Sequence, residues 1–238
     1  MNILFKRIAA VTGVLAAGSF VASAHAQTTA ELRITGTITP PACTITLGGN
    51  GTADFGNIGH HQLKANGTKL NERTVDLKVA CEGPARVGLN IVDNRASSKI
   101  VKADADAAEW ASSAPAIGDA YIFGLGTATS TDNQQVKIGG AMFGFKGGVV
   151  TVDGTTNSQV IYSSNKTTWA NDATARQFMS PAQTYSFLRG STGALTPVAI
   201  TNVEGTLSVV STINKTSLLP SGQQIKLDGS ATISLVYL

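Results

Sequence analysis

Residues 27–43 have the sequence QTTAELRITGTITPPAC, in which apolar and polar side chains alternate up to a pair of prolines. The apolar positions are Ala30, Leu32, Ile34, Gly36 and Ile38. Alternation with a period of two predicts a β-strand with one buried face. The two prolines lack a backbone N–H and hold the preceding residue extended, so they separate this strand from the rest of the chain. We interpret residues 27–39 as an N-terminal arm that must lie on a sheet, either its own or the open edge of another molecule.

The residues before this arm have the pattern of an export signal. Lys6 and Arg7 precede an apolar run over residues 8–21, and Ala24-His25-Ala26 fits an A-x-A cleavage site. The apolar run is shorter than the roughly 20 residues that a membrane-spanning helix needs. We therefore predict a signal peptide over residues 1–26 and no direct insertion of the mature chain into a membrane.

The composition narrows the classes of protein. The 238 residues include 18 Lys and Arg and 15 Asp and Glu, for a formal net charge of +3, and the basic residues form no cluster. This near-neutral balance gives no electrostatic basis for binding nucleic acid or an anionic membrane surface. Only 14% of residues are charged, whereas Thr, Ser, Ala, Gly and Val are abundant. Such a composition favours strands joined by short turns.

The chain contains two cysteines, Cys43 and Cys81. An even number of cysteines in an exported chain predicts one disulfide. Cys81 shares a face with Val79 in the alternating stretch 74–81, so we expect the bridge to lie inside the core and to join that stretch to the first body strand. His60 and His61 are adjacent and no CxxC accompanies them, so we predict neither a metal nor another cofactor.

Short alternating stretches continue to the C-terminus. The predicted strands are 43–47, 53–58, 74–81, 86–92, 120–125, 135–145, 149–152, 159–163, 184–188, 197–202, 204–213 and 229–238, with a turn at Gly83-Pro84 and an irregular excursion over 97–115. Many short strands separated by turn signals predict a single all-β domain over residues 40–238, an antiparallel β-sandwich of immunoglobulin-like type. Ile233, Leu235 and Tyr237 share one face of the last strand, and that face needs a neighbour on both sides.

The sequence offers little for catalysis. It contains no GxSxG, HExxH or Walker pattern, and the adjacent histidines are the only source of a base at neutral pH. We predict that the protein is not an enzyme. Four aromatic residues could instead form a platform on which a sugar stacks, although scattered aromatics more often serve packing. They are Trp110, Tyr162, Trp169 and Tyr185.

At both ends the chain resembles the pilin subunits of Gram-negative chaperone-usher fimbriae, and more narrowly the uncharacterised exported fimbrial-like proteins of similar length. The shared features are the A-x-A signal, the alternating arm shortly before the first cysteine, the Cys43 and Cys81 pair and the alternating terminal strand with its penultimate Tyr237. The resemblance implies an incomplete sandwich that lacks its final strand, with an apolar groove open beside the C-terminal strand. A periplasmic chaperone would fill this groove first, and the arm of a neighbouring subunit would replace it at an outer-membrane usher.

The resemblance also implies roles for single residues. In the donor-strand arm, Leu32 and Ile34 would be anchors, and Ala30 or Gly36 would be the small residue at a tight point of the groove.

At the other end of the chain, Ile233, Leu235 and Tyr237 would form the edge of the groove, and the carboxylate of Leu238 would meet basic residues of the chaperone. The arm is shorter than usual and the body longer than a typical shaft pilin, which suits a minor or specialised subunit exported to the cell surface. The alternative is a free secreted β-sandwich that binds carbohydrate or another surface ligand, with its arm paired internally.

Overall fold

The computed structural model describes residues 29–104, 118–171 and 176–238. The predicted signal peptide over residues 1–26 lies outside the described residues, as does most of the excursion over 97–115. Residues Thr39–Leu238 form one compact unit, and the described residues before Thr39 are not part of it.

In the described part of the compact unit, regular structure consists of strands and single turns of 3-10 helix. The strands are β1 (Cys43–Leu47), β2 (Thr68–Lys69), β3 (Arg73–Ala85), β4 (Val87–Asp93), β5 (Phe123–Gly124), β6 (Thr127–Thr129), β7 (Gln135–Lys137), β8 (Gly139–Lys146), β9 (Val149–Val152), β10 (Thr155–Ser163), β11 (Arg176–Phe178), β12 (Thr184–Phe187), β13 (Ile200–Ile213) and β14 (Ala231–Tyr237). The 3-10 turns are Gly48–Gly51, His60–Gln62, Ala96–Ser98, Asp119–Tyr121 and Thr216–Leu218.

The described strand pairs are all antiparallel, which confirms the predicted fold class. Eight strands form one continuous hydrogen-bonded path in the order β1-β3-β13-β9-β10-β12-β4-β14. Strands β2, β5, β8 and β11 join the same sheet beside this path, and β6 pairs with β7 in a separate two-stranded sheet. The first and last strands of the body therefore lie at the two ends of the path.

The main core is built from alternate residues of strands on opposite sides of the sandwich. Leu77 and Val79 of β3, Leu89 and Ile91 of β4 and Phe187 of β12 are all fully buried in one cluster. Complete burial of a side chain of this size contributes about 1.5 to 3 kcal/mol to folding. The alternation that the sequence shows in these strands is therefore the pleat of a half-buried sheet.

The predicted disulfide between Cys43 and Cys81 is present. The two cysteines lie directly opposite each other in the β1–β3 ladder, so the bridge joins the two strands that the sequence predicted. The expectation that it lies inside the core is wrong, because both cysteines are only half-buried and pack against the margin of the main cluster. Strand β1 is the last of its sheet, and its residues therefore have a neighbouring strand on one side only.

Two predictions of strand position are wrong. In one case apolar residues pack without forming a strand, and in the other a strand continues through a predicted turn. Residues 53–58 form no strand: Gly56 has φ of +67°, and Phe55 packs against a smaller cluster beside β8. The predicted turn at Gly83-Pro84 lies inside β3, where the register with β13 shifts. A proline is tolerated there because the shift leaves that part of β3 out of the ladder with β13.

Other boundaries fail where the chain changes its pairing partner. The predicted strand 135–145 divides at Ile138, because β7 pairs with β6 whereas β8 pairs with β13. The stretches 197–202 and 204–213 join into the single strand β13, in which Val203 is buried and pairs with both Val79 and Val152. The stretch 120–125 keeps only β5 as a strand, after a 3-10 turn.

The hairpin between β9 and β10 is fixed by a polar cluster around Asp153. Asp153 and Gly154 both have positive φ, as a two-residue turn between twisted strands requires. One carboxylate oxygen of Asp153 accepts hydrogen bonds from Thr201 N, Thr201 Oγ1 and Asn202 N at 2.9, 2.7 and 2.8 Å, and the other oxygen pairs with Arg189. Partial burial raises the pKa of Asp153, but these hydrogen bonds outweigh it and lower the pKa to about 2.

Candidate functional site

The candidate site is the seam between β1 and β14. In the described ladders, β1 pairs with β3 from Cys43 to Leu47, and β14 pairs with β4 from Ala231 to Tyr237. Each of the two strands thus has one edge in the described sheet that no ladder uses. The two strands come close to each other, so the path of eight strands is almost closed. A gap between two free edges is a place where an extended peptide can add as a strand.

One end of the seam is closed by Tyr237. Its hydroxyl donates a hydrogen bond to the carbonyl oxygen of Pro41 at 2.8 Å and accepts one from the backbone N–H of Cys43 at 3.1 Å. The next residue, Leu238, donates its N–H to Arg86 O at 3.0 Å. The C-terminus is therefore attached to β1 on one side and to the start of β4 on the other.

Toward the other end the seam opens into a groove of about 1160 Å³. Leu47 of β1 and Ile233 of β14 both line it. The floor consists largely of apolar side chains from the centre of the sandwich, namely Val75, Ile91, Phe143, Leu207 and Val209. Since Cys43 and Tyr237 meet at the closed end, β1 and β14 run in opposite directions along the groove.

Two irregular segments, 52–59 and 219–230, also line the groove and form its outer walls. Arg73 holds the first segment, donating to Asp54 O at 2.6 Å with its guanidinium 5.6 Å from the centre of the Phe55 ring. Arg95 holds the second through an ion pair of 2.8 Å with Asp228. Sequence analysis missed these walls, because no local pattern in an irregular segment shows which sheet it will cover.

The residues predicted to form the groove edge lie on β14 and just after it. Ile233 and Leu235 are half-buried and pack against the main cluster. Tyr237 is 45% exposed and Leu238 is 38% exposed. Ile233 also lines the groove. Their contact with a chaperone or a neighbouring subunit stays a prediction.

The described part of the arm, residues 29–38, contains no assigned strand. Its large apolar side chains are exposed: Leu32 to 87%, Ile34 to 92% and Ile38 to 100%. Among the polar residues that alternate with them, Arg33 forms an ion pair with Glu31 at 3.1 Å, and both side chains are mostly exposed. No described ladder includes these residues, and their role as a donor strand stays a prediction.

In the described chain, the candidate aromatic and metal-ligating residues do not come together as a binding site. Tyr185 and Trp169 are buried in packed clusters, Tyr162 is half-buried and Trp110 lies outside the described residues. The more frequent role of such aromatics, packing, is therefore confirmed for Tyr185 and Trp169. Burial raises the pKa of Tyr185, whose hydroxyl donates to Phe178 O at 3.1 Å. Where the chain is described, no three His, Cys, Asp or Glu side chains gather as metal ligands would.

Fold and site together define the class: an all-β antiparallel sandwich with one disulfide and an open apolar groove between its first and last strands. Residues 32–142 match a family model described as a protein of unknown function (DUF1120). The chain is 33% identical to Protein GltF of Escherichia coli (strain K12), over 97% of this chain and 96% of that protein. It is 25% identical to the Uncharacterized protein YhcF of the same strain, over 94% of this chain and 98% of that protein. The chain belongs to the family that includes GltF.

A chain from a solved structure of a chaperone-usher pilus aligns over 90% of this chain and 98% of its own length, with 15% identity and a TM-score of 0.26. A TM-score this low does not establish a shared fold, so the fold assignment depends on the strands themselves. The relationship to GltF and the match to a family model of unknown function confirm membership of an uncharacterised family, and the Cys43–Cys81 bond confirms the predicted disulfide. Among the residues described, no helix is both long and apolar enough to cross a lipid bilayer.

Proposed function

We propose that this protein is a structural, non-enzymatic subunit of a chaperone-usher fimbria, and that its groove receives the N-terminal arm of a neighbouring copy. One observation carries the proposal: the free edges of β1 and β14 border an apolar groove. A strand inserted there would hydrogen-bond to both edges and would complete the sheet. Its apolar face would pack against the apolar side chains that line the groove.

The arm has the chemistry that such a groove requires. Leu32, Ile34 and Ile38 have one parity, and all three are almost fully exposed. Burial of each in a neighbour's groove would contribute about 1.5 to 3 kcal/mol, before the cost of ordering the arm. The polar side chains of the other parity would stay in water. We infer the division into a signal peptide (1–26), a donor arm (27–39) and an acceptor body (40–238).

The same exposed groove supports the proposed partners. An apolar cleft between unpaired strands promotes aggregation until something covers it. A periplasmic chaperone would protect the groove before assembly, and an outer-membrane usher would be the place where a neighbour's arm replaces it. Leu238 is 38% exposed, which would allow it to contact the chaperone. The mature protein would then act at the cell surface in adhesion, as a minor or specialised subunit.

The test is assembly of the intact chain with one face of the arm changed. The full-length protein is expressed in a Gram-negative periplasm with a chaperone and an usher, and surface polymers are separated by size without boiling. Leu32→Ser, Ile34→Ser and Ile38→Ser are combined in one variant. We expect the unaltered protein to form a ladder of multimers and this variant to remain monomeric, since it has lost its apolar anchors.

The matched control changes the opposite face of the same arm. Glu31→Ser, Thr35→Ser and Thr37→Ser together should leave the multimers intact, because these side chains would face solvent. Equal assembly by the apolar-face variant would contradict the proposal. Accumulation of the unaltered protein as a stable monomer without any chaperone would favour the alternative, a free secreted binding module.

A further inference from the structure

The hydroxyl of Tyr237 occupies backbone groups that an added strand would use. In an antiparallel ladder, the N–H and C=O groups of successive residues point alternately toward and away from the partner strand. The carbonyl of Ala42 points toward β3, where it accepts a hydrogen bond from Glu82 N at 2.9 Å. The carbonyl of Pro41 and the N–H of Cys43 point into the seam, where both bond to the Tyr237 hydroxyl. One phenol thus takes the place of one peptide unit of an absent strand.

The tyrosine side chain spans the seam between β14 and β1. The backbone of Tyr237 is fixed on the far side, because it pairs with Val87 and the following N–H bonds to Arg86. Its side chain and a hydrogen bond of 2.8 Å cross the gap to β1. Beyond this bridge, toward Leu47, the described seam opens into the groove.

Alternation alone does not define a single register for the arm. A slip by one residue would turn its polar face into the groove, so alternation excludes odd shifts. A slip by two residues keeps the apolar parity on the buried face, and only the small residues Ala30 and Gly36 oppose it, because larger side chains would take their places. A fixed end of the groove would add a second barrier to even slips.

We infer that Tyr237 is a positioning residue, an end stop that fixes the register of an inserted arm. The inference rests on the proposed function, since it takes the arm of a second copy as the occupant of the groove. A strand entering from the open end bonds to the outward groups of Ile45 and Leu47 and ends where the phenol holds Cys43. Without the phenol, the groove extends by one bonding position and admits the arm in two registers.

The experiment uses the full chain whose own arm carries Leu32→Ser, Ile34→Ser and Ile38→Ser, so that only the groove is available. A synthetic peptide of residues 27–39 carries a photo-crosslinking group in place of Thr35, and mass spectrometry locates the crosslinked residue on the acceptor. With Tyr237 present we expect one crosslinked position. With Tyr237→Phe we expect a second position, two residues away along the strand.

Two further measurements test the role of Tyr237: a matched Tyr-to-Phe control elsewhere in the chain, and amide exchange in the protein that keeps Tyr237. Tyr162→Phe, on β10, should preserve the single crosslink. With Tyr237 present, peptide binding should slow amide exchange at Leu47 and leave exchange at Cys43 unchanged, because that N–H is already bonded. One identical crosslink in both Tyr237 forms, or new protection at Cys43 on binding, would overturn the end stop alone. Failure of the peptide to bind the acceptor with Tyr237 present would overturn the proposed function and the end stop with it.

Discussion

Removal of the disulfide should weaken the protein in a way that shows how β1 is held. The bond joins residues separated by 38 positions. Closure of a loop of that length constrains the unfolded chain by about 4 kcal/mol. Both cysteines are half-buried at the margin of the core, so replacement by alanine adds little cavity cost. We therefore expect Cys43→Ala combined with Cys81→Ala to lower the free energy of unfolding by about 4 kcal/mol, a large fraction of the 5 to 15 kcal/mol typical of a domain.

The loss should be largest at one edge of the sheet. Strand β1 pairs only with β3, and on its other side the described contact is the phenol of Tyr237. Strand β13, by contrast, lies inside the sheet and pairs with both β3 and β8. Amide exchange should therefore accelerate more in Cys43–Leu47 than in Ile200–Ile213. Since β1 is one wall of the groove, peptide binding should weaken together with this protection.

Urea unfolding of both forms at neutral pH gives the free energies, and hydrogen exchange with mass spectrometry gives the local effect. The unaltered protein treated with a reductant is the control, and it should behave like the double variant. A loss below about 1 kcal/mol, or equal acceleration of exchange in β1 and β13, would refute the view that the bridge secures an otherwise weakly held edge.

Two further predictions concern the body of the sandwich. The pKa of Asp153 is lowered from 3.8 to about 2 in the folded protein, so its ionised form stabilises the fold above pH 4, and that stability is lost as the pH falls toward 2. Solvent screening limits this contribution to the free energy of unfolding to about 1 kcal/mol. Urea unfolding at pH 5 and pH 2.5 should show that Asp153→Asn lacks this part of the pH dependence. Identical pH dependence in the two proteins would contradict the assignment. Gly124→Ala would place a Cβ against the carbonyl oxygen of Arg95 and should cost about 1 to 3 kcal/mol, whereas Gly222→Ala has open space and should leave the melting temperature unchanged.

The sequence predicted best the features that depend on parity. Strand β1 has the predicted bounds, and the parity of Val79 and Cys81 in the alternating stretch correctly gave them a shared face. Parity also identifies the apolar face of β14, where Ile233 and Leu235 pack against the core. These features follow from local geometry, because a strand with one buried face repeats every two residues whatever its partner is.

Features that depend on a distant partner were not predictable. Phe55 sits in a stretch with the apolar content of a strand, yet it packs under Arg73 as part of a groove wall. Ile138 looks like the interior of one strand but marks a change of sheet, since its neighbours pair with different partners. The seam itself is a property of the order of strands in space, which one-dimensional patterns do not contain.

The sequence between the arm and β1 bears on which copy supplies the inserted strand. For an arm to pair beside the strand after it, the chain has to reverse direction within residues 39–42. Pro40 and Pro41 have fixed φ, lack the N–H that a tight turn would use, and keep Thr39 extended. A tight hairpin between the arm and its own β1 is therefore disfavoured, whereas an arm that continues away from the body can reach another molecule. The second of these prolines also places its carbonyl oxygen at the phenol of Tyr237, so the segment that disfavours self-completion contributes to the closed end of the groove.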